Sequence, residues 1–431
     1  MRYRLSEIAV MLRTPIGRCQ VARGVWFRCW PLVSVLAWLH RRTLAQRTCL
    51  IAVVGSYGKT TTTRATLVAL GLPLDRQNLW NAWSDVAAAV LRIRPWHRHA
   101  VIEVGIDGVG QMATYAALLR PDIVVVTSIG TEHGRSLGTI ETTRYEKAAM
   151  VRALSRSGVA VLNGDDPNVV WMKSQTAARV IMFGLGDSND VRAAQVSLDW
   201  PHGTRFQLET GETGNITRAM HVPLLGETML YTILAAIAVA EAAGLAFDAV
   251  LPRLDQLPPT PGRLEPVALP NGAWLLRDDF KSGLETFGPA LTVLADVPAD
   301  RRLAVLGEVT EPPGSQGPIY RDLGERFGRV TDSLVIIGNN FQRYAAGARR
   351  SGHDEATLHD AGSSVAQASA LLQERLRPGD VVLIKGRHDQ RLERIGLALQ
   401  GHAVRCALER CEVKVRSCAQ CPMLSKNSLH S

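Results

Sequence analysis

The sequence predicts an α/β protein made of two parallel-sheet domains in series, and three observations carry that prediction. From residue 50 onward, short apolar runs (LIAVVG, AVIEVG, DIVVVTSIG, GVAVLNGDD, ARVIMFG) alternate with helical stretches, the alternation that builds a parallel sheet covered by helices. The segment DQLPPTPGRLE at 255–265 then concentrates Pro and Gly as a domain edge does. A second set of apolar runs follows it: AWLLRDDF, RLAVLGEV, SLVIIGNN and DVVLIKG, separated by helical stretches such as 320–328 and 363–376.

The chain has 431 residues, 46% hydrophobic and 21% charged, which suits folded domains and excludes collagen-like, largely disordered and disulfide-scaffold classes. Lys plus Arg exceed Asp plus Glu by 49 to 40. Residues 1–48 hold nine Arg and one acid, so that segment carries +8 of the +9 and the rest is near neutral. A nucleic-acid-binding face is therefore not expected. Seven scattered Cys and the lack of a secretory leader pattern point to a reducing cytoplasm.

Four segments are expected: an Arg-rich apolar segment 1–48, a first domain 49–256, a second domain 257–400 and a Cys-containing tail 401–431. Within the first, VWFRCWPLVSVLAWL at 25–39 is interrupted by Arg28 and Pro31 and is too short to span a membrane. It reads either as a helix packed on the protein body or, with Trp26, Trp30 and Trp38 among many Arg, as a peripheral contact with an anionic membrane at its inner face. Within the first domain, 191–225 reads as short antiparallel strands, followed by an Ala-rich helix from about Leu230 to Ala243.

Gly55-Ser56-Tyr57-Gly58-Lys59-Thr60-Thr61 follows an apolar strand and opens a helix, the context of a phosphate-binding loop. Backbone N–H groups hold phosphate there, the Lys neutralises β/γ oxygens and the Thr hydroxyl ligates Mg²⁺. The first glycine usual in such loops is Val53 here. Glu103 and His133 follow the next strands and project from the carboxyl edge of the sheet, where open α/β folds bind ligands. Arg outnumbers Lys 42 to 7, so the few Lys, among them Lys59, Lys147, Lys281 and Lys385, stand where an amine differs usefully from a guanidinium.

GSYGKTT, IEVG, SIGTEH, ETTRYEKAAMV, VLNGDDP, the LLGETMLYTILAAIAVA helix, PGRLE, LLRDDFK and GDVVLIKGR occur in the order and spacing of the Mur ligase family. From about residue 50 to 400 the chain resembles that family, above all its D-alanyl-D-alanine-adding members. The resemblance implies a P-loop parallel-sheet central ATPase domain followed by a Rossmann-like α/β C-terminal domain. It also implies an ATP-dependent amide ligase that works through an acyl phosphate on small-molecule carboxylate and amine substrates, as a monomer. Lys59 and Thr60 would hold ATP and Mg²⁺, Glu103 and His133 a second Mg²⁺, and Lys147 matches the family lysine that is often carbamylated. Asn81 matches an asparagine near ATP, Arg263 an arginine that reaches the γ-phosphate when the second domain closes, Asp279 an acid near the ribose, and Lys281 a lysine facing phosphate. Lys385 and Arg387 would border the incoming amine.

The sequence departs from the family where Asn and His are usual in the Ala-rich helix: Thr228, Met229 and Thr232 stand there. Forty-eight N-terminal residues are also too few for the family's separate nucleotide-sugar domain, which leaves γ-glutamyl ligation, or ATP binding for regulation alone, as alternatives. Cys406, Cys411, Cys418 and Cys421 are spaced so that they would either hold a structural Zn²⁺ or remain reduced thiols.

Overall fold

The computed structural model describes residues 8–9, 11–13, 15–78, 80–131, 134–211, 216–411, 413 and 417–425. Two compact units result, one formed by Val21–Pro258 and the other by Pro259 onward together with residues up to Gln20.

The first unit is built on an eight-stranded sheet in the order β2-β1-β3-β4-β5-β6-β7-β8. The strands are β1 (Cys49–Val54), β2 (His99–Glu103), β3 (Ile123–Val126), β4 (Val159–Asn163), β5 (Arg179–Gly184), β6 (Val191–Asp199), β7 (Gly203–Thr210) and β8 (Ile216–Val222). Pairing is parallel from β2 through β6 and antiparallel from β6 through β8, as the two kinds of apolar pattern require. Ahead of β1 lie α1 (Pro15–Arg28) and α2 (Trp30–Arg42). Helices α3 (Lys59–Ala69) and α4 (Ser84–Leu91) join β1 to β2, α5 (Gln111–Leu119) joins β2 to β3, and α6 (Gly134–Leu137) and α7 (Ile140–Arg152) join β3 to β4. The short α8 (Pro167–Val170) follows β4, while α9 (Glu227–Ala242) and α10 (Phe247–Leu254) follow β8.

Alternate residues of the central strands feed two cores, because successive side chains point to opposite faces. Ile51 and Val53 pack with Val125, Val161 and α9 on one side. Leu50, Ala52 and Val54 pack with Val86, Val90, Leu119 and α2 on the other. Helix α9 is buried on nearly every side from Leu230 to Ala240, and its alanines let it lie close to α3 and the sheet. With β1 flanked by β2 on one side and β3 on the other, the loop after β1 opens at the point where strand order reverses, which is where such sheets bind ligands.

The second unit has a six-stranded sheet in the order β13-β12-β11-β14-β10-β9. These are β9 (Glu265–Ala268), β10 (Trp274–Asp278), β11 (Arg302–Leu306), β12 (Ser333–Ile336), β13 (Leu358–Asp360) and β14 (Val381–Lys385). All pairs are parallel except β9 with β10. Helices α11 (Phe287–Asp296), α12 (Gln316–Gly328), α13 (Phe341–Arg350), α14 (Val365–Arg375) and α15 (Glu393–Leu399) connect or follow them. β14, last in the chain, inserts between β10 and β11.

Candidate active site

β1 ends at Val54, and the chain turns through Gly55 and Gly58, whose φ angles of 145° and 82° lie in the region that favours glycine. A Cβ on Gly55 would also come within 2.0 Å of the Thr127 hydroxyl. Gly58 precedes the first residue of α3, so the N–H groups of Lys59, Thr60 and Thr61 lie ahead of the first intrahelical bond, which runs from Thr62 to Gly58. This is a ready site for phosphate oxygens. The loop is held from the β3 side: Ser56 N–H donates to the Ser128 carbonyl (2.8 Å), Tyr57 N–H to the Ser128 hydroxyl (2.9 Å), and the Thr127 hydroxyl to the Tyr57 carbonyl.

Two lysines converge on this loop. Lys59 folds back so that Nζ donates to the carbonyls of Gly55 (2.8 Å) and Ser56 (2.9 Å). Lys147 reaches from α7, ninety-one residues away, and donates to the Ser56 hydroxyl at 2.8 Å. That hydroxyl also accepts from Gly130 N–H at 2.9 Å. Both lysines are buried.

Glu103 closes β2 in register with Val53, so it stands at the same edge one strand over. It is buried, and Asn81 Nδ2 donates to its Oε1 at 2.7 Å. Asn78 brackets its backbone, accepting from Glu103 N–H (2.9 Å) and donating to its carbonyl (2.9 Å). Asn81 therefore meets the carboxylate, a contact that spacing alone does not reveal. His133, expected beside Glu103, lies outside the described residues.

On the α9 side, Thr232 turns its hydroxyl to the Met229 carbonyl (2.6 Å), while its methyl lies beside Gly58. Tyr231 donates to Asp165 at 2.9 Å, joining α9 to the NGDD loop after β4. Burial pushes the Asp165 carboxyl up, but bonds from Leu185, Asn189, Tyr231 and Gly186 outweigh it and hold the group below its usual range. Tyr231 is correspondingly pushed up by burial and by Asp165.

In the second unit, Arg263 lies over the Phe280 ring at 5.0 Å. Asp279 is buried and bonded to Arg277 (3.2 Å), which also meets Glu265 and Glu393. Burial, only partly offset by Arg277, raises the Asp279 carboxyl to about 6. Lys385, expected to border a substrate, is instead fully buried, with its ammonium on Asp278 and over the Phe287 ring. Its Nζ also approaches the Lys281 carbonyl at 3.5 Å. The amine lies inward because Lys385 is the last residue of a central strand buried on both faces. Arg387, two residues on, is partly exposed and pairs with Asp389 at 3.0 Å. Arg410 of the tail bridges Asp389 (3.0 Å) and Glu308 (2.6 Å). These groups border a depression lined by Glu308, Asn339, Ser363, Gln390, Glu409 and Arg410.

Of the two readings of the tail cysteines, a structural zinc site is not supported. Among the described residues no group of three or more His, Cys, Asp or Glu is placed to hold a metal ion. The tail is fixed by backbone contacts instead: Cys406 accepts from Arg394 (2.8 Å), Cys411 N–H donates to the Asp389 carbonyl (2.7 Å), and Cys418 N–H donates to Glu393 (2.6 Å). Burial and Glu393 push the Cys418 thiol well above its usual value, which disfavours the thiolate that zinc requires.

Residues 53–240 match the Mur ligase middle domain, and residues 262–388 match the Mur ligase, glutamate ligase domain. The UDP-N-acetylmuramoyl-tripeptide–D-alanyl-D-alanine ligase of Mycobacterium tuberculosis (strain H37Rv) is 31% identical over 360 residues, covering 78% of this chain and 70% of that protein. The chain belongs to the Mur ligase family. The Escherichia coli (strain K12) ligase of the same name is 27% identical over 378 residues, covering 85% and 79% of the two chains. The MurF fold from Acinetobacter baumannii superposes with a TM-score of 0.75 at 23% identity, over 86% of this chain and 80% of that one. MurF from Thermotoga maritima in complex with ADP gives 0.72 at 20%, over 86% and 83%. As a Mur ligase, the protein is an ATP-dependent enzyme that forms carbon–nitrogen bonds between an acid and an amine.

Proposed function

We propose that this Mur ligase joins the carboxylate of a muramoyl-peptide precursor to the amine of D-alanyl-D-alanine, the reaction named for the relatives it matches over most of its length. The observation that supports the reading best is the convergence of Lys59 and Lys147 on the loop ahead of α3, with Glu103 one strand away. In this reading Gly55–Thr61 cradles the ATP phosphates, and the N–H groups at the head of α3 meet their oxygens. Asn81 orients Glu103. Lys147 sets the Ser56 hydroxyl, and through it the shape of the loop.

Two donors at this edge, a helix-leading Thr60 hydroxyl and the buried Glu103 carboxylate, fit a hard divalent cation, and His133 is assigned to the same ion from the family resemblance alone. Mg²⁺ bound there, with Lys147 beside it, would offset charge on the phosphoryl oxygens. The substrate carboxylate attacks the γ-phosphate while Lys59 stabilises the negative charge of the transferring group, and an acyl phosphate and ADP result. The incoming amine then attacks the acyl carbon and phosphate departs. Arg263 and Lys281 are assigned phosphate contacts, and Arg387 contact with the amine substrate.

The test is incubation with ATP, Mg²⁺, UDP-muramoyl-tripeptide and D-alanyl-D-alanine, following ADP release and product mass. Release that requires both acceptors, with a product heavier by one dipeptide less water, is expected. ADP release indifferent to the dipeptide would overturn this substrate assignment.

A further inference from the structure

Among the described residues, eight of the fifteen large apolar side chains that are exposed fall between Val25 and Leu44. The reason is geometric. Val33, Ala37 and Arg41, spaced four apart on α2, face inward and are buried. Arg41 fixes that orientation, donating to the carbonyls of Leu119 (2.8 Å), Ala45 and Arg120 (2.9 Å) and to the Asp122 carboxylate (3.0 Å). His40 adds a hydrogen bond to the Ile93 carbonyl at 2.8 Å.

With one side committed to the body of the unit, the other presents Leu32, Val35, Leu36 and Leu39. They follow the i, i+3, i+4, i+7 pattern of a buried helix face, yet each is about half exposed or more. Trp38 borders this stripe beneath the Arg42 guanidinium, 4.1 Å from its ring centroid. Phe27 and Val25 at the end of α1, and Leu44 after α2, extend the apolar surface. α2 is thus apolar on two opposite sides and covered on one.

Charge distinguishes among possible occupants. No Asp or Glu occurs between Glu7 and Asp75, whereas Arg28 and Arg47 are exposed at either end of the apolar stripe. A second copy docked here would set two strongly cationic segments against each other. No helix of the described residues is long and apolar enough to cross a membrane, so insertion across a bilayer is not what the stripe serves. Asp85 and Asp122 reach these helices from other elements but are paired with Arg23 and Arg41, and an apolar stripe with an aromatic edge and exposed Arg28 and Arg47 at its ends matches the headgroup boundary of a bilayer containing anionic lipid. We propose that the exposed side of α2, with the end of α1, docks this enzyme on an anionic membrane surface.

Co-sedimentation of the full chain with vesicles of phosphatidylcholine, with and without phosphatidylglycerol, tests this. Binding to the phosphatidylglycerol vesicles is expected, and it should weaken at high salt. The double variant Leu36→Ser/Leu39→Ser should reduce partitioning by roughly 100-fold. Arg28→Gln/Arg47→Gln should reduce it by roughly 30-fold on the anionic vesicles alone and provides an arm that leaves the apolar packing intact. Both variants should keep wild-type ADP release. Wild-type protein that binds no better than the double leucine variant would overturn the proposal. So would a concentration-dependent dimer, lost in that variant, in a protein that ignores vesicles.

Discussion

At the carboxyl edge of the first sheet the lysines grip the loop itself: Lys59 holds two backbone carbonyls and Lys147 a serine hydroxyl. At the corresponding edge of the second sheet the cations grip carboxylates: Lys385 on Asp278, Arg277 on Asp279, Glu265 and Glu393, Arg387 and Arg410 on Asp389. The same residue types therefore do different work. In the first unit they hold the loop that we propose as a phosphate cradle, so their loss should appear in turnover; in the second the pairs at Asp278 and Asp279 balance buried charge, so loss of those two should appear in stability.

The largest effect separates the two kinds of change. Lys59→Ala should lower acceptor-dependent ADP release by roughly 10,000-fold, while its effect on urea unfolding, from two carbonyls left without their donor, should stay below that of Lys385→Ala; an equal loss of stability would erase the distinction. Lys385→Ala should do the reverse, leaving the Asp278 carboxylate buried without its ammonium at a cost of roughly 3–5 kcal/mol in urea unfolding. Replacing both partners, Lys385→Met with Asp278→Leu, should recover most of that loss.

Next comes a pH effect. The Asp279 carboxyl rises from an ordinary 3.8 to about 6 on folding, so the folded protein holds this proton more tightly than the unfolded chain. Its contribution to stability is therefore greatest below about pH 4, falls as pH rises towards 6, and is flat above that; the full span is about 3 kcal/mol. Asp279→Asn should remove this slope from a series of urea titrations. The smallest effect belongs to Arg410→Ala, whose partly exposed pairs with Glu308 and Asp389 should be worth under about 1 kcal/mol.

The same division governs what could be read from sequence. The central strands of both sheets were legible because buried parallel strands are unbroken apolar runs, and the loop from Gly55 to Thr61 because its glycines and lysine are contiguous. The edge strands β9 and β13 were not: EPVA contains a proline and LHD is three residues long, so neither offers a period. The bond from Lys147 to Ser56 and that from Tyr231 to Asp165 join residues ninety-one and sixty-six positions apart, and no local pattern encodes them. The inward amine of Lys385 was hidden for a related reason, since only the pairing of β14 between β10 and β11 shows that it lies inside.

That placement of β14 also constrains how the protein can be made. Until Val381–Lys385 has left the ribosome, the hairpin of β9 and β10 has no bond to the β11–β13 half, and both present open edges that invite pairing with other chains. A message cut short upstream of Val381 would thus yield not a slightly smaller enzyme but two half-sheets prone to clump, while the first unit would already be whole.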